Sequence, residues 1–241
     1  MGRVLDTLDE MGVADDTLVV FTSDNGGMFH VTGQAAWRAG HRMNGALLGF
    51  KFGAWEGGHR VPFVARWPGR IPAGSSSDHL LSHVDLLATL ASLVRRPLQS
   101  GEGPDSVDQL ATLTGAPARP ARDTLVLCPN SPGHLAVRRG DWVYISGQGG
   151  GGFQGKGPGE HLFSDEYALP FTGRANSDVL DGRIRPDAPP AQLYHLGRDP
   201  QQTTNVFLQR PDVARELAAL VAEYRRAIPP GPRLGWINLG R

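Results

Sequence analysis

An acidic and an amide side chain stand next to one another at Asp24 and Asn25, inside the run Ser23-Asp24-Asn25-Gly26-Gly27. Both present oxygen, the ligand atom that hard divalent cations prefer, and calcium gathers about 6–8 oxygens at about 2.3–2.6 Å. The two glycines free the backbone to turn sharply, so that both side chains can face one point. The same residue types also favour an ordinary turn, and the tetrapeptide by itself suits a turn better. A second group lies in residues 44–69. There Lys51 sits in the glycine-flanked apolar stretch Gly49-Phe50-Lys51-Phe52-Gly53, where a buried ammonium needs an anion or a carboxylate. Glu56 and Arg60 are four residues apart and pair most simply with each other, as a structural salt bridge.

These groups need elements to hold them. Val4, Leu5, Leu8 and Met11 recur at helical spacing over residues 3–12, and Gly12 offers a stop. The β-branched run from Thr17 to Thr22 then reads as a strand buried on both faces, as in a parallel sheet. Helix, turn and buried strand is the repeat of an α/β fold, in which functional groups collect just beyond the carboxyl ends of strands. Asp24 and Asn25 occupy that place. Residues 28–48 form a long excursion without clean periodicity, and Phe63 to Trp67 reads as a second strand closed by Pro68-Gly69. Ser82 and Asp85 suit a capping box that opens a helix with Leu86, Leu87, Leu90 and Leu93 on one face.

Residues 95–122 are rich in Pro, Gly, Arg and Ala and read as a crossover. Four short strands follow at 124–127, 135–138, 142–145 and 192–196, with a tight hairpin at Arg139-Gly140-Asp141. Pro211 opens an amphipathic helix striped by Val213, Leu217, Leu220, Val221, Tyr224 and Ile228. The expected fold is therefore α/β. A partial parallel sheet flanked by helices (residues 1–110) precedes a small antiparallel sheet with a C-terminal helix (residues 122–241).

Composition narrows the function. Lys plus Arg equals Asp plus Glu at 24 each, so no global field favours nucleic acid or an anionic membrane. A single Cys excludes an intrachain disulfide and a multi-Cys zinc site. No apolar run approaches the roughly 20 residues that span a bilayer, and no secretory signal opens the chain. Localisation is open, since an export signal would precede Met1.

Several weaker patterns are set aside. Gly150 to Gly157 nearly matches a phosphate-binding loop but lacks the final Ser or Thr and is followed by Pro158-Gly159. It reads as a glycine-rich loop. His30, His41 and His59 lack the spacing of a zinc motif, and His83 is expected at the surface of a helix's first turn. Cys128 follows an apolar strand and reads as a small buried hydrophobe. No Ser lies in Gly-x-Ser-x-Gly, so that type of serine hydrolase is unsupported.

Residues 16–27, Asp-Thr-Leu-Val-Val-Phe-Thr-Ser-Asp-Asn-Gly-Gly, resemble the strand and metal-ligand motif of the sulfatases of the alkaline phosphatase superfamily. The run Gly-x-Lys-x-x-x-Trp-Glu-Gly-Gly-x-Arg-Val-Pro at 49–62 resembles a second signature of that family. Residues 136–143, 193–200 and 203–205 resemble strands of its C-terminal subdomain, and the matches come in the family's order.

The resemblance implies hydrolysis of sulfate esters on a sulfated small molecule or glycan, with calcium (Ca2+) as cofactor. It makes Asp24 and Asn25 metal ligands and Lys51 a sulfate contact. The family's nucleophile is a formylglycine made from Cys or Ser in Cys-x-Pro-x-Arg or its Ser equivalent, and neither occurs here. Cys128 is followed by Pro129-Asn130-Ser131-Pro132, which departs at both fixed positions. The family's other calcium carboxylates are unmatched too, so the chain is expected to be the C-terminal portion of a longer enzyme, with weak calcium affinity. A phosphoesterase or phosphonate hydrolase of the same superfold, or a non-catalytic remnant, are the alternatives.

Overall fold

The computed structural model describes residues 1–115, 117, 119–153 and 165–227. The helical spacing near the start becomes α1 (Gly2–Glu10), and Gly12 follows it in the left-handed region at φ +68°. Strand β1 (Val19–Thr22) comes next. The excursion contains α2 (Val31–Arg38), and one helical turn, α3 (Glu56–His59), follows it before β2 (Phe63–Arg66).

The first two strands correct the expected pairing sense. β1 and β2 are antiparallel, with Thr22 opposite Phe63 and Val19 opposite Arg66. The reason lies in the connection: the chain leaves at Thr22 and re-enters at the same end, whereas a parallel pair needs a crossover to the opposite end. Nor is β1 buried on both faces, since Phe21 and its partner Val64 are both exposed. The α/β class itself holds, with helices and sheets in one chain.

Helix α4 (Asp85–Leu93) follows, then the short α5 (Leu110–Leu113) within the expected crossover. In α4 the buried face carries Asp85 and Thr89, while Leu87 and Leu90 are exposed. The expected leucine face is thus displaced by polar burial. The Asp85 carboxylate accepts Ser82 N–H at 3.0 Å, Val107 N–H at 3.0 Å, Gln109 Nε2–H at 3.2 Å and the Arg122 guanidinium. So many donors can be reached only if that side of the helix faces inward. Of the expected capping box only the Asp85–Ser82 half forms.

The second sheet has order β3 (Thr124–Leu127), β4 (Ala136–Arg139), β5 (Trp142–Ile145), β8 (Gln192–His195), antiparallel throughout as expected. Gly140 turns the β4–β5 hairpin at φ +56°. Between β5 and β8 come α6 (Asp165–Thr172) and the small pair β6 (Val179–Leu180) and β7 (Arg183–Ile184). Helix α7 (Pro211–Ala227) buries Ala214, Leu217 and Val221 against one face of this sheet. Ile228 of the predicted stripe lies outside the described residues.

The other face of the sheet places the site. Leu48, just ahead of the Lys51 signature, and Ala54 and Trp55 within it pack on Ala136, Val143, Ile145, Tyr194 and Leu196. The Trp55 indole N–H also donates to Gln192 Oε1 at 2.9 Å, and Glu56 N–H donates to Gln202 Oε1 at 2.7 Å. The loop holding the candidate ammonium is therefore seated on the second sheet.

Candidate functional site

Because β1 and β2 are antiparallel, everything from Ser23 to Pro62 starts and finishes at one end of that pair. Three sets of bonds then join the two signatures. Gly26 N–H donates to Gly58 O at 3.0 Å, and Lys51 N–H donates to Gly27 O at 2.9 Å. The Asn44 side chain accepts Gly27 N–H at 2.7 Å and donates to Gly49 O at 3.0 Å. The glycines permit this closeness: a Cβ on Gly26 would fall 1.8 Å from Gly57 O.

Asp24 and Asn25 lie at this seam, with Asp24 exposed. The Asn25 amide donates to Asp24 Oδ1 and, with backbone N–H groups and the positive charge of Lys51, holds the Asp24 carboxyl below its usual range. Lys51 Nζ lies 5.1 Å from the Phe52 ring centroid. The structure thus brings the acid–amide pair and the ammonium to one end of the sheet, within electrostatic reach. Among the described residues no three His, Cys, Asp or Glu form a metal cluster, so the acid–amide pair is a partial oxygen set.

Glu56 forms the ion pair read from the sequence, but not with Arg60 alone. Its buried carboxylate lies 3.4 Å from Arg60, 3.4 Å from His59 and 3.9 Å from Arg138 of β4. Burial works to raise its pKa, but His59, Arg138 and Arg60 outweigh it and hold the group below its ordinary value. Its contribution to stability is present above the unfolded value of 4.5 and is lost as pH falls through the lower folded value. Glu56→Gln should cost about 3 kcal/mol at neutral pH, since it strands Arg138 beside a neutral amide. It should also flatten the acid limb of thermal stability measured by calorimetry from neutrality down to pH about 3. An acid limb as steep in the variant as in the parent would show that Glu56 carries none of it.

His83, expected at the surface of a helix's first turn, is partly buried just ahead of α4, and its Nε2 sits 2.8 Å from Thr22 Oγ1 at the end of β1. Cys128 also departs, being exposed just past edge strand β3. Of the glycine-rich loop, Gln154 onward lies outside the described residues. Its first part is clamped, with Gly150 O accepting Ala54 N–H at 2.6 Å and Gly150 N–H donating to Glu166 Oε1 at 2.6 Å.

Sequence reasoning passed over Asn44, Asp165 and Glu166. Asn44 carried a readable signal, an amide beside a glycine five residues ahead of the 49–62 signature. Asp165 and Glu166 carried none, because their partners are distant in the chain. A further group gathers between the excursion and the end of α6: the guanidiniums of Arg42 and Arg174 lie 4.2 and 5.0 Å from the Trp37 ring centroid, and that of Arg38 lies 4.9 Å from the Phe171 centroid. Among the described residues none of the three is within 4 Å of a carboxylate.

Residues 1–95 match the family model described as Sulfatase. Over 92% of its length the chain is 33% identical to an N-acetylgalactosamine-6-O-sulfatase of Bacteroides thetaiotaomicron, of which it covers 39%. It is 30% identical to human arylsulfatase D over 97% of the chain and 38% of that relative. It thus spans about two fifths of the length of the curated relatives it matches. A solved structure from work on glycosaminoglycan metabolism by Bacteroides thetaiotaomicron superposes with a TM-score of 0.70 at 30% identity, covering 93% of this chain and 42% of that one.

Proposed function

The chain belongs to the sulfatase family, and from that premise we propose that Asp24, Asn25 and Lys51 serve the hydrolysis of a sulfate ester. The observation that carries this reading is the backbone bond from Lys51 to Gly27, which seats an ammonium beside an acid–amide pair. Such a group suits a small tetrahedral anion: Lys51 contacts one oxygen and so offsets charge on the transferring sulfuryl group.

Asp24 and Asn25 fit calcium in donor chemistry, since both offer oxygen, but they supply two positions of about 6–8. Bound there, the cation would neutralise charge on the sulfate oxygens. Sharing a cation requires the Asn25 amide to rotate, so that Oδ1 replaces the Nδ2 now facing Asp24. Neither Cys-x-Pro-x-Arg nor its Ser equivalent occurs in the 241 residues, so the nucleophile would come from residues outside them. The substrate is proposed to be a sulfated saccharide. Supporting this are the relative named for N-acetylgalactosamine-6-O-sulfate chemistry and the three arginines around Trp37 and Phe171, which suit further anionic groups.

Two measurements test this. The complete enzyme should cleave an aryl sulfate in preference to the matching aryl phosphate, and the reverse preference would replace sulfatase by phosphoesterase. Calcium titrated into the 241-residue chain should shift NMR signals at 23–27 with a dissociation constant on the order of 10⁻³ M, the weak end of the protein range. Asp24→Asn should abolish those shifts. Undiminished binding in that variant would place the cation elsewhere.

A further inference from the structure

Asp165 opens α6 with a carboxyl that the reading above leaves without a task. Its Oδ1 accepts Phe50 N–H at 3.1 Å, while Oδ2 is buried with no hydrogen-bond partner among the described residues. Four glycines from two loops wall it in. A Cβ on Gly53 would fall 2.0 Å from Oδ2, one on Gly150 2.4 Å, one on Gly49 3.6 Å and one on Gly152 3.8 Å. Two of those glycines, Gly49 and Gly53, bracket Lys51. The stretch between them is contorted, with Gly49 at φ +82° and Phe52 at φ +81°. A phenylalanine holds that left-handed conformation only when its surroundings impose it. Here they are the Asp165 bond to Phe50, the Lys51 bond to Gly27, and the bond from Asn130 N–H to Phe52 O at 2.9 Å.

Asp165 also floors a cavity of about 20 Å³ that Lys51, Phe50, Phe52 and Phe153 help to line. That is room for one water and no more. Burial pushes the Asp165 carboxyl well above the usual carboxylate range; the neighbouring charge of Glu166 adds to this and the Phe50 N–H bond opposes it. Among the described residues the titratable groups facing it are Glu166 on its own helix and Lys51 at the cavity. A neutral acid exerts little pull on Lys51. An ionised one, enclosed away from water, would draw the ammonium inward.

We propose that Asp165 is a positioning residue for Lys51: its carboxyl, wedged between the Gly49–Gly53 loop and the glycine-rich loop, sets the backbone from which Lys51 stays beside Asp24 rather than turning into the cavity. This rests on the reading of Lys51 as an anion contact. The test is titration of inorganic sulfate into the 241-residue chain, followed by NMR shifts at residues 23–27 and 49–53. Lys51→Met should abolish sulfate binding. Asp165→Asn keeps a neutral acceptor for Phe50 N–H and should bind within about twofold of the parent at neutral pH, whereas Asp165→Ala should bind about tenfold more weakly. With rising pH the parent should lose affinity earlier than Asp165→Asn, because only the parent can ionise at this position. Should Asp165→Ala fail to fold, the comparison of those two pH profiles decides. Sulfate binding lost in Lys51→Met but unmoved in Asp165→Ala, or identical profiles for the parent and Asp165→Asn, overturns the inference alone. Binding unmoved by Lys51→Met overturns the anion role of Lys51 and this inference with it.

Discussion

Trp55→Ala is expected to lower the stability of the chain by about 3–5 kcal/mol, the range for deleting a large enclosed aromatic. Trp55 is 0% exposed and packs among Ala136, Val143, Ile145 and Tyr194, so its removal leaves a cavity at the centre of the core. The indole bond to Gln192 is lost as well, although Gln192 Oε1 still accepts the Tyr194 hydroxyl at 2.6 Å. For a chain of this size such a loss lowers the melting temperature by on the order of 10 °C. The damage should spread to the site, because Gly58, whose N–H bonds Trp55 O at 2.8 Å, also holds Gly26. Trp55→Phe keeps most of the ring and should cost about half as much. Chemical denaturation of both variants checks this, and a Trp55→Ala loss below about 1 kcal/mol would mean that the loop is not seated on the sheet as described.

The second large effect is on activity. In the complete enzyme, Lys51→Met should lower kcat/KM by about 10²–10³, the cost of deleting one donor that faces developing negative charge. Stability should change little, because among the described residues the half-buried Lys51 side chain makes no salt bridge and meets the Phe52 ring only at 5.1 Å. That contrast separates it from Trp55, whose replacement costs stability first and activity in consequence. A Lys51→Met enzyme within tenfold of the parent, assayed on an aryl sulfate, would remove Lys51 from the chemistry.

Much of the fold could be read before any coordinates. The helical spacing of α1, the β-branched run of β1, the four short strands with their Gly140 hairpin and the proline-led α7 are all local patterns. Local patterns do not reveal which end of a strand a distant segment returns to. The antiparallel β1–β2 pair therefore came out opposite to expectation. Polar burial is equally hard to read: α4 turns Asp85 and Thr89 inward because Val107, Gln109 and Arg122 wait there, leaving Leu87 and Leu90 in solvent.

By itself the sequence determined which groups are available for chemistry: a carboxylate and an amide in tandem, an ammonium between glycines, and no nucleophile motif. Those are matters of residue type and short spacing, and they carried the family resemblance. Only the tertiary structure decided that Gly27 bonds Lys51, that Asn44 braces both signatures and that Asp165 wedges under the lysine loop. Some of these contacts join residues as far as 115 positions apart, and they exist because glycines leave room for backbones to touch where any side chain would collide.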